Sequence, residues 1–258
     1  MNDLIPIQRR ERIIELLKKK GICTIDELVK EFGTSEITIH RDLDQLELEG
    51  QVLKVHRGVK LAETEPIFGP FAERVRRHRK EKEAIARKAL EYVHDGDALF
   101  IDSSSTGLIF AKTLSASGFH NLKIVTNSPV ITYEVANSNG IDLISTGGVL
   151  ENEYRALIGP WTLEFILRLH FDSIFISCGG ITLEKGLTTD RIFVAEVLQT
   201  AAKVTNRVIV LVDSSKFIKN AMIKIFPVDK VDLMITDGGV ATNVAEEFIK
   251  GGFRLVKT

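Results

Sequence analysis

Apolar residues recur at helical spacing three times within the first 61 positions, and each recurrence has its own stop. Ile13, Ile14 and Leu17 mark a helix over roughly Gln8–Lys20, ended by Gly21. Thr24 opens a second, with Glu27 three residues on. That is the spacing of a capping box, in which each side chain satisfies the other's free backbone N–H. The second stripe is Ile25, Leu28, Val29 and Phe32, closed by Gly33. Ser35 caps a third helix to about Leu48, with Ile39, Leu43 and Leu46 facing inward and Gly50 ending it. Residues 51–55 and 58–61 then alternate like two short strands. Two amphipathic helices joined by a Gly-containing turn and followed by a strand pair predict a winged helix-turn-helix.

After a segment holding Pro66, Gly69 and Pro70, which reads as a linker over 62–70, a charged helix is predicted from about Phe71 to Val93. Beyond it the period alternates between strand and helix. The strands fall at Ala98–Ile101, Lys123–Val125, Asp142–Ser145, Ser173–Ser177, Val208–Val212, Leu233–Ile235 and Phe253–Val256. Such alternation implies right-handed crossovers and a mainly parallel sheet. The expected architecture is therefore α/β: a winged helix-turn-helix over 1–61, a linker, and a Rossmann-like domain over 71–258.

Composition narrows the class. Hydrophobic residues at 44% and charged residues at 27% suit a soluble globular chain. No apolar run approaches the ~18–20 residues that span a bilayer, and the charged start does not resemble a secretory signal. Cys23 and Cys178 lie far apart and the six histidines are scattered, so no metal site or cofactor is expected. A reducing cytoplasm is the default compartment. Net charge is −1, and residues 1–60 hold 11 basic and 11 acidic side chains; any DNA contact must come from where the charges sit.

The chemistry gathers at strand ends. Ala98–Ile101 runs into Asp102, Ser103, Ser104, Ser105 and Thr106 before a helix; Lys123–Val125 runs into Thr126-Asn127-Ser128; Asp142–Ser145 into Gly147 and Gly148; Ser173–Ser177 into Gly179 and Gly180. Ligands of open parallel sheets bind at the carboxyl ends of strands, and a Ser/Thr loop opening a helix offers free N–H groups and a favourable dipole to phosphate. Each loop alone is also what any helix cap looks like; four in succession point to a shared pocket. Lys216 either neutralises a phosphate or sits in solvent. Cys178 reads as a small buried residue. The basic run Arg74, Arg76, Arg77, Arg79, Lys80 and Lys82 reads as a solvated helix face. In the third helix, about 100° per residue gathers Thr38, Arg41 and Gln45 on a face turned away from the apolar stripe. Ser35, Thr38, His40, Arg41 and Gln45 are the candidate DNA contacts, with Lys54, His56 and Arg57 from the wing. Glu36, Asp42, Asp44, Glu47 and Glu49 are expected to repel DNA wherever they approach it.

Thr24-Ile-Asp-Glu-Leu28 and Ser35-Glu-Ile-Thr-Ile-His-Arg-Asp-Leu43 resemble the N-terminal signature of DeoR-family regulators. Glu81-Lys82, Ile101-Asp102-Ser-Ser-Ser-Thr106, Val125-Thr-Asn-Ser128, Gly147-Gly148, Gly186-Leu187-Thr188, Asp213-Ser-Ser-Lys216-Phe217 and Ile235-Thr-Asp237 are similar to that family's effector domain. The resemblance implies a transcriptional regulator of carbohydrate genes, usually a repressor, bound to a double-stranded operator and released by a phosphorylated sugar. It also implies a second domain related in fold to ribose-5-phosphate isomerase. Asp102–Thr106, Asn127, Gly147, Gly148, Gly179, Gly180 and Lys216 would line its pocket. Two departures stand out: His40-Arg41 replaces the family's consecutive arginines, and His56-Arg57-Gly58 replaces its His-Gly-Gly. Regulators of repeated half-sites are symmetric oligomers, so a homodimer or homotetramer is expected. The rival readings are a sugar-phosphate isomerase with an accessory domain and a protein- or RNA-interaction module. Isomerisation needs a positioned general base. Related isomerases carry an acidic loop where this chain has Ser177-Cys178-Gly179-Gly180, so no enzymatic activity is expected.

Overall fold

A computed structural model describes residues 5–48, 52–55, 58–61 and 69–258. It divides into two compact units, Met1–Gly69 and Pro70–Thr258.

In the first unit, α1 (Pro6–Lys20) starts on a proline, whose missing N–H is harmless there, and stops where the Gly21 N–H reaches the Leu17 carbonyl. Next come β1 (Ile22–Thr24), α2 (Ile25–Phe32), α3 (Glu36–Leu48), β2 (Val52–Val55) and β3 (Gly58–Leu61). The Thr24–Glu27 capping box forms in both directions. The expected hairpin β2–β3 is joined by β1, giving the order β1-β3-β2. A Cβ on Gly58 would lie 2.7 Å from the Cys23 carbonyl oxygen, so that close pairing requires glycine. Ile13, Leu17, Cys23, Leu28, Ile39, Leu43, Leu46, Val52 and Val59 form the core.

The second unit opens with α4 (Gly69–Arg76), α5 (Arg79–Ala89) and a 3-10 turn at Leu90–Tyr92. The single helix expected here is broken at His78, which adopts a left-handed φ of 54°. Then follow β4 (Ala98–Ile101), α6 (Ser105–Ser115), β5 (Leu122–Thr126), α7 (Pro129–Val135), β6 (Ile141–Ser145), β7 (Val149–Glu151), β8 (Ala156–Ile158), α8 (Pro160–Leu167) and β9 (Ser173–Ile176). The chain continues through β10 (Gly180–Thr182), β11 (Gly186–Thr189), α9 (Ile192–Ala201), β12 (Val208–Leu211), β13 (Ile223–Phe226), β14 (Leu233–Thr236), α10 (Thr242–Lys250) and β15 (Leu255–Lys257). Seven strands form one sheet in the order β15-β14-β12-β9-β4-β5-β6, and every neighbouring pair is parallel. All four residues of β9, β12 and β14 are buried, which is why they read as unbroken apolar runs rather than alternating ones. From β4 the strand order runs outward through β5 and β6 to one edge, and from β9 outward to the other. The chain thus reverses direction across the sheet between β4 and β9, which is where open α/β sheets carry a crevice. The hairpin β7–β8 and the antiparallel sheet β10-β11-β13 were not anticipated.

Candidate functional site

A cavity of about 200 Å³ opens at the β4/β9 crossover point. Its floor is the loop after β4. Asp102 is buried and accepts hydrogen bonds from the Ser104 N–H at 3.2 Å, the Ser104 hydroxyl at 2.6 Å and the Ser177 N–H at 3.0 Å. The carboxylate thereby joins the ends of β4 and β9. Ser104 in turn caps α6 by accepting from the Gly107 N–H at 2.8 Å. A Cβ on Gly107 would lie 2.7 Å from Asp102 Oδ1, so the tight Asp–Ser–Gly cradle needs a glycine. Burial pushes the Asp102 carboxyl up to about 6, against hydrogen bonds that favour its charged form. Ser103, Ser104, Ser105, Thr106 and Gly179 line the cavity, at the dipole-positive start of α6.

Three cationic side chains line the same cavity: Arg74, Lys82 and Lys216. Lys216 follows Asp213 in a turn built like that after β4, with Asp213 Oδ1 accepting from the Ser215 N–H and hydroxyl. The other two correct the expectation of a solvated basic helix. Arg76, Arg77, Arg79 and Lys80 are exposed, and Arg77 and Arg79 pair with Glu73 and Glu83. Lys82, however, is 4% exposed. Its Nζ donates to the Arg74 carbonyl at 2.5 Å and the Arg77 carbonyl at 2.7 Å. Burial lowers its ammonium to about 8; Lys216, Arg74 and Arg77 push the same way and Asp213 opposes them. Arg74 stacks over the Tyr154 ring at 4.2 Å and donates to the Glu153 carbonyl at 3.1 Å. Tyr154, Thr189 and Asp190 also line the cavity. Cys178 does too, but burial raises its thiol to about 12, so it is a neutral wall and not a nucleophile.

Four residues of the expected pocket lie outside its lining: Asn127, Gly147, Gly148 and Gly180. Asn127 anchors β8, donating its side-chain amide to the Leu157 carbonyl at 3.2 Å while its backbone carbonyl accepts from the Leu157 N–H at 2.7 Å. The Gly147 carbonyl accepts from the Thr162 hydroxyl at 2.7 Å. Gly148, at a φ of 124°, packs so closely on Thr162 and the Ile158 carbonyl that no side chain fits. Gly180 packs against the Lys219 backbone in the same manner.

In the first unit, Ser35 Oγ accepts from the Thr38 N–H at 3.3 Å and lies 2.9 Å from the Thr38 hydroxyl, so these two serve first to cap α3. Arg41 is exposed, while Thr38, His40 and Gln45 are half-buried. His40 lies 3.6 Å from Glu36. Three of the acids of α3 are engaged within the fold. Asp42 is buried and bound to Arg9 of α1 at 2.5 Å. Asp44 and Glu47 hold Lys54 of β2, so the Lys54 charge is compensated within the fold. His56 and Arg57 lie outside the described residues. Among the described residues no group of His, Cys, Asp or Glu side chains is arranged to hold a metal ion, and no helix is long and apolar enough to cross a membrane.

A winged helix-turn-helix ahead of a larger α/β unit is the build of a DNA-binding regulator. The chain belongs to the DeoR family of transcriptional regulators: residues 9–65 match the DeoR-like helix-turn-helix domain and residues 77–238 the DeoR C terminal sensor domain. It is similar to the HTH-type transcriptional regulator GolR of Listeria innocua, with 33% identity covering 96% of this chain and 97% of that one. The glycerol-3-phosphate regulon repressor of Escherichia coli is 31% identical over 93% of this chain and 94% of its own length. Among solved structures, ribose 5-phosphate isomerase A from Methanocaldococcus jannaschii is 17% identical, covering 55% of this chain and 56% of that one, with a TM-score of 0.41. The family is one of regulators, and this chain is a DNA-binding regulator rather than an enzyme.

Proposed function

We propose that the chain represses carbohydrate genes from a double-stranded operator and is released when a phosphorylated sugar enters the cavity of the second unit. The observation that carries this reading is the meeting of Arg74, Lys82 and Lys216 with the serine-rich start of α6 around one cavity. Cations and unpaired helix N–H groups together suit a dianion far better than a neutral sugar. Asp190 and Thr189 offer acceptors to sugar hydroxyls. Asp102, which also lines the cavity, orders the loop, and Asn127, Gly147, Gly148 and Gly180 act behind the wall. In the first unit Arg41 reads bases from the exposed face of α3, and His40, His56 and Arg57 meet phosphates, while Lys54, already held by Asp44 and Glu47, braces the wing against α3. Family relatives named as repressors of the glycerol-3-phosphate regulon and, putatively by name, of the aga operon of E. coli support the metabolic class. A homodimer or homotetramer in the cytoplasm fits an operator of repeated half-sites.

A thermal-shift screen tests the effector half. At 100 times its Kd a ligand that binds only the folded state contributes about 2.7 kcal/mol. Phosphorylated sugars should therefore raise the melting temperature by several degrees, while the same sugars without phosphate leave it unchanged. Equal shifts from both sets, or none from any phosphorylated sugar, would remove the phosphate from the proposal.

A further inference from the structure

The first helix of the second unit is held from inside the cavity. Lys82 Nζ donates to the carbonyls of Arg74 and Arg77, which are the last turn of α4 and the residue after it. A lysine ammonium has three N–H donors; with two on these carbonyls only one is left for the cavity that Lys82 lines, so an anion that takes more than one must compete with the carbonyls. Helix α4 has only eight residues, too few to be stable by itself, and a cation at its C-terminal carbonyls supports it through the dipole as well. The break at His78, with its left-handed φ, separates α4 from α5, so α4 can loosen without disturbing the helix that carries Lys82. In chain order α4 is also the first described element after β3 of the first unit.

We propose that Lys82 is a transducer: an anion in the cavity draws its ammonium away from the Arg74 and Arg77 carbonyls, and α4 loosens at the point where the chain arrives from the DNA-binding unit. The inference rests on the cavity being an anion site. The competition is unequal, because a charged phosphate oxygen is a roughly twofold stronger acceptor than a neutral carbonyl. Burial has already weakened the hold of Lys82 on its proton, and a dianion beside it relieves that penalty. Arg74 stays stacked on Tyr154, so α4 is loosened and not released. Effector binding thereby changes the first helix of the second unit.

Amide hydrogen exchange on the full chain tests this, with inorganic phosphate as the probe and sodium chloride at equal ionic strength as the control. Phosphate should slow exchange at residues 103–108, where it binds, and speed exchange at residues 73–77 by about tenfold, the scale of one lost charge-assisted hydrogen bond. In Lys82→Met, residues 73–77 should exchange fast from the start and phosphate should add nothing. Protection at 103–108 with unchanged or slower exchange at 73–77 in the wild type overturns the transducer and leaves the anion site standing. No change at either place overturns both. The wild-type comparison decides the matter whether or not the variant folds.

Discussion

Replacing Asp42 by alanine separates two opposite accounts of the DNA-reading helix. If the α3 acids merely repel DNA, Asp42→Ala should tighten operator binding. The structure predicts the reverse. Asp42 and Arg9 are 6% and 12% exposed at their side chains and meet at 2.5 Å, tying α3 to α1. Removing one partner of a buried pair costs about 3–5 kcal/mol where the other charge loses its counter-ion; Arg9 keeps a further partner and some exposure, which places this pair at the lower end. A unit of this size has total stability on the order of 3–9 kcal/mol at roughly 0.05–0.15 kcal/mol per residue. A loss of about 3 kcal/mol therefore removes a third or more of it. Exchange of the α1 and α3 amides in the full chain should rise by about a hundredfold, with DNA affinity falling and the second unit untouched. Replacing both partners by apolar residues, Arg9→Met with Asp42→Leu, should recover most of the stability, since a packed apolar pair is often as good as a buried ionic one. Unchanged protection, or tighter DNA binding, in Asp42→Ala would refute the reasoning.

Other expectations follow from the same geometry. Gly148→Ala forces a side chain into a backbone φ of 124° and toward the Ile158 carbonyl at 2.7 Å; the strain and overpacking should lower stability by about 2–4 kcal/mol in denaturant unfolding, and a loss under 1 kcal/mol would contradict the packing described. Arg41→Ala should weaken specific DNA binding by about 1–3 kcal/mol with little change in melting temperature; an equal loss for random duplex would make Arg41 a phosphate contact. A phosphorylated sugar is a dianion above about pH 7, whereas Lys82 loses its charge near 8, so the calorimetric affinity of the sugar phosphate that most raises the melting temperature should fall roughly tenfold between pH 7 and 9.5. Because the folded value lies below that of the unfolded chain, the stability of this unit should rise as pH goes from about 8 to about 10.4, where only the unfolded chain still holds the proton. An affinity flat with pH would place Lys82 away from the ligand.

What was legible in the sequence had a local cause. The capping box at Thr24 and Glu27, the glycine stops and the apolar strands of the parallel sheet are each fixed by neighbours a few residues apart. The loop after β4 was legible as chemistry, since Asp102 and Ser104 organise it within six residues. Strands of three residues, such as β1, β7, β8 and β10, are too short to display alternation. The inward turn of Lys82 and Arg74 depends on the break at His78, where a non-glycine residue takes a left-handed φ without any sequence signal for it. The role of Asp42 was hidden for a related reason: its partner Arg9 stands 33 positions away. Asn127 and the Gly147–Gly148 pair stand at strand ends as expected but are not among the residues that line the cavity, because a loop's place at a strand end does not fix which way it faces.

Control of DNA binding by one phosphorylated ligand, held by Arg74, Lys82 and Lys216, is the core of the proposed function. It is tested most directly by fluorescence anisotropy with a duplex the protein itself selects from a random pool, titrated with and without the phosphorylated sugar that shifts its melting temperature most. Affinity should be lower by about 5–150-fold with the sugar phosphate, the range of a 1–3 kcal/mol coupling, with no such loss in Lys216→Ala. Equal affinity with and without a ligand that demonstrably binds would contradict it.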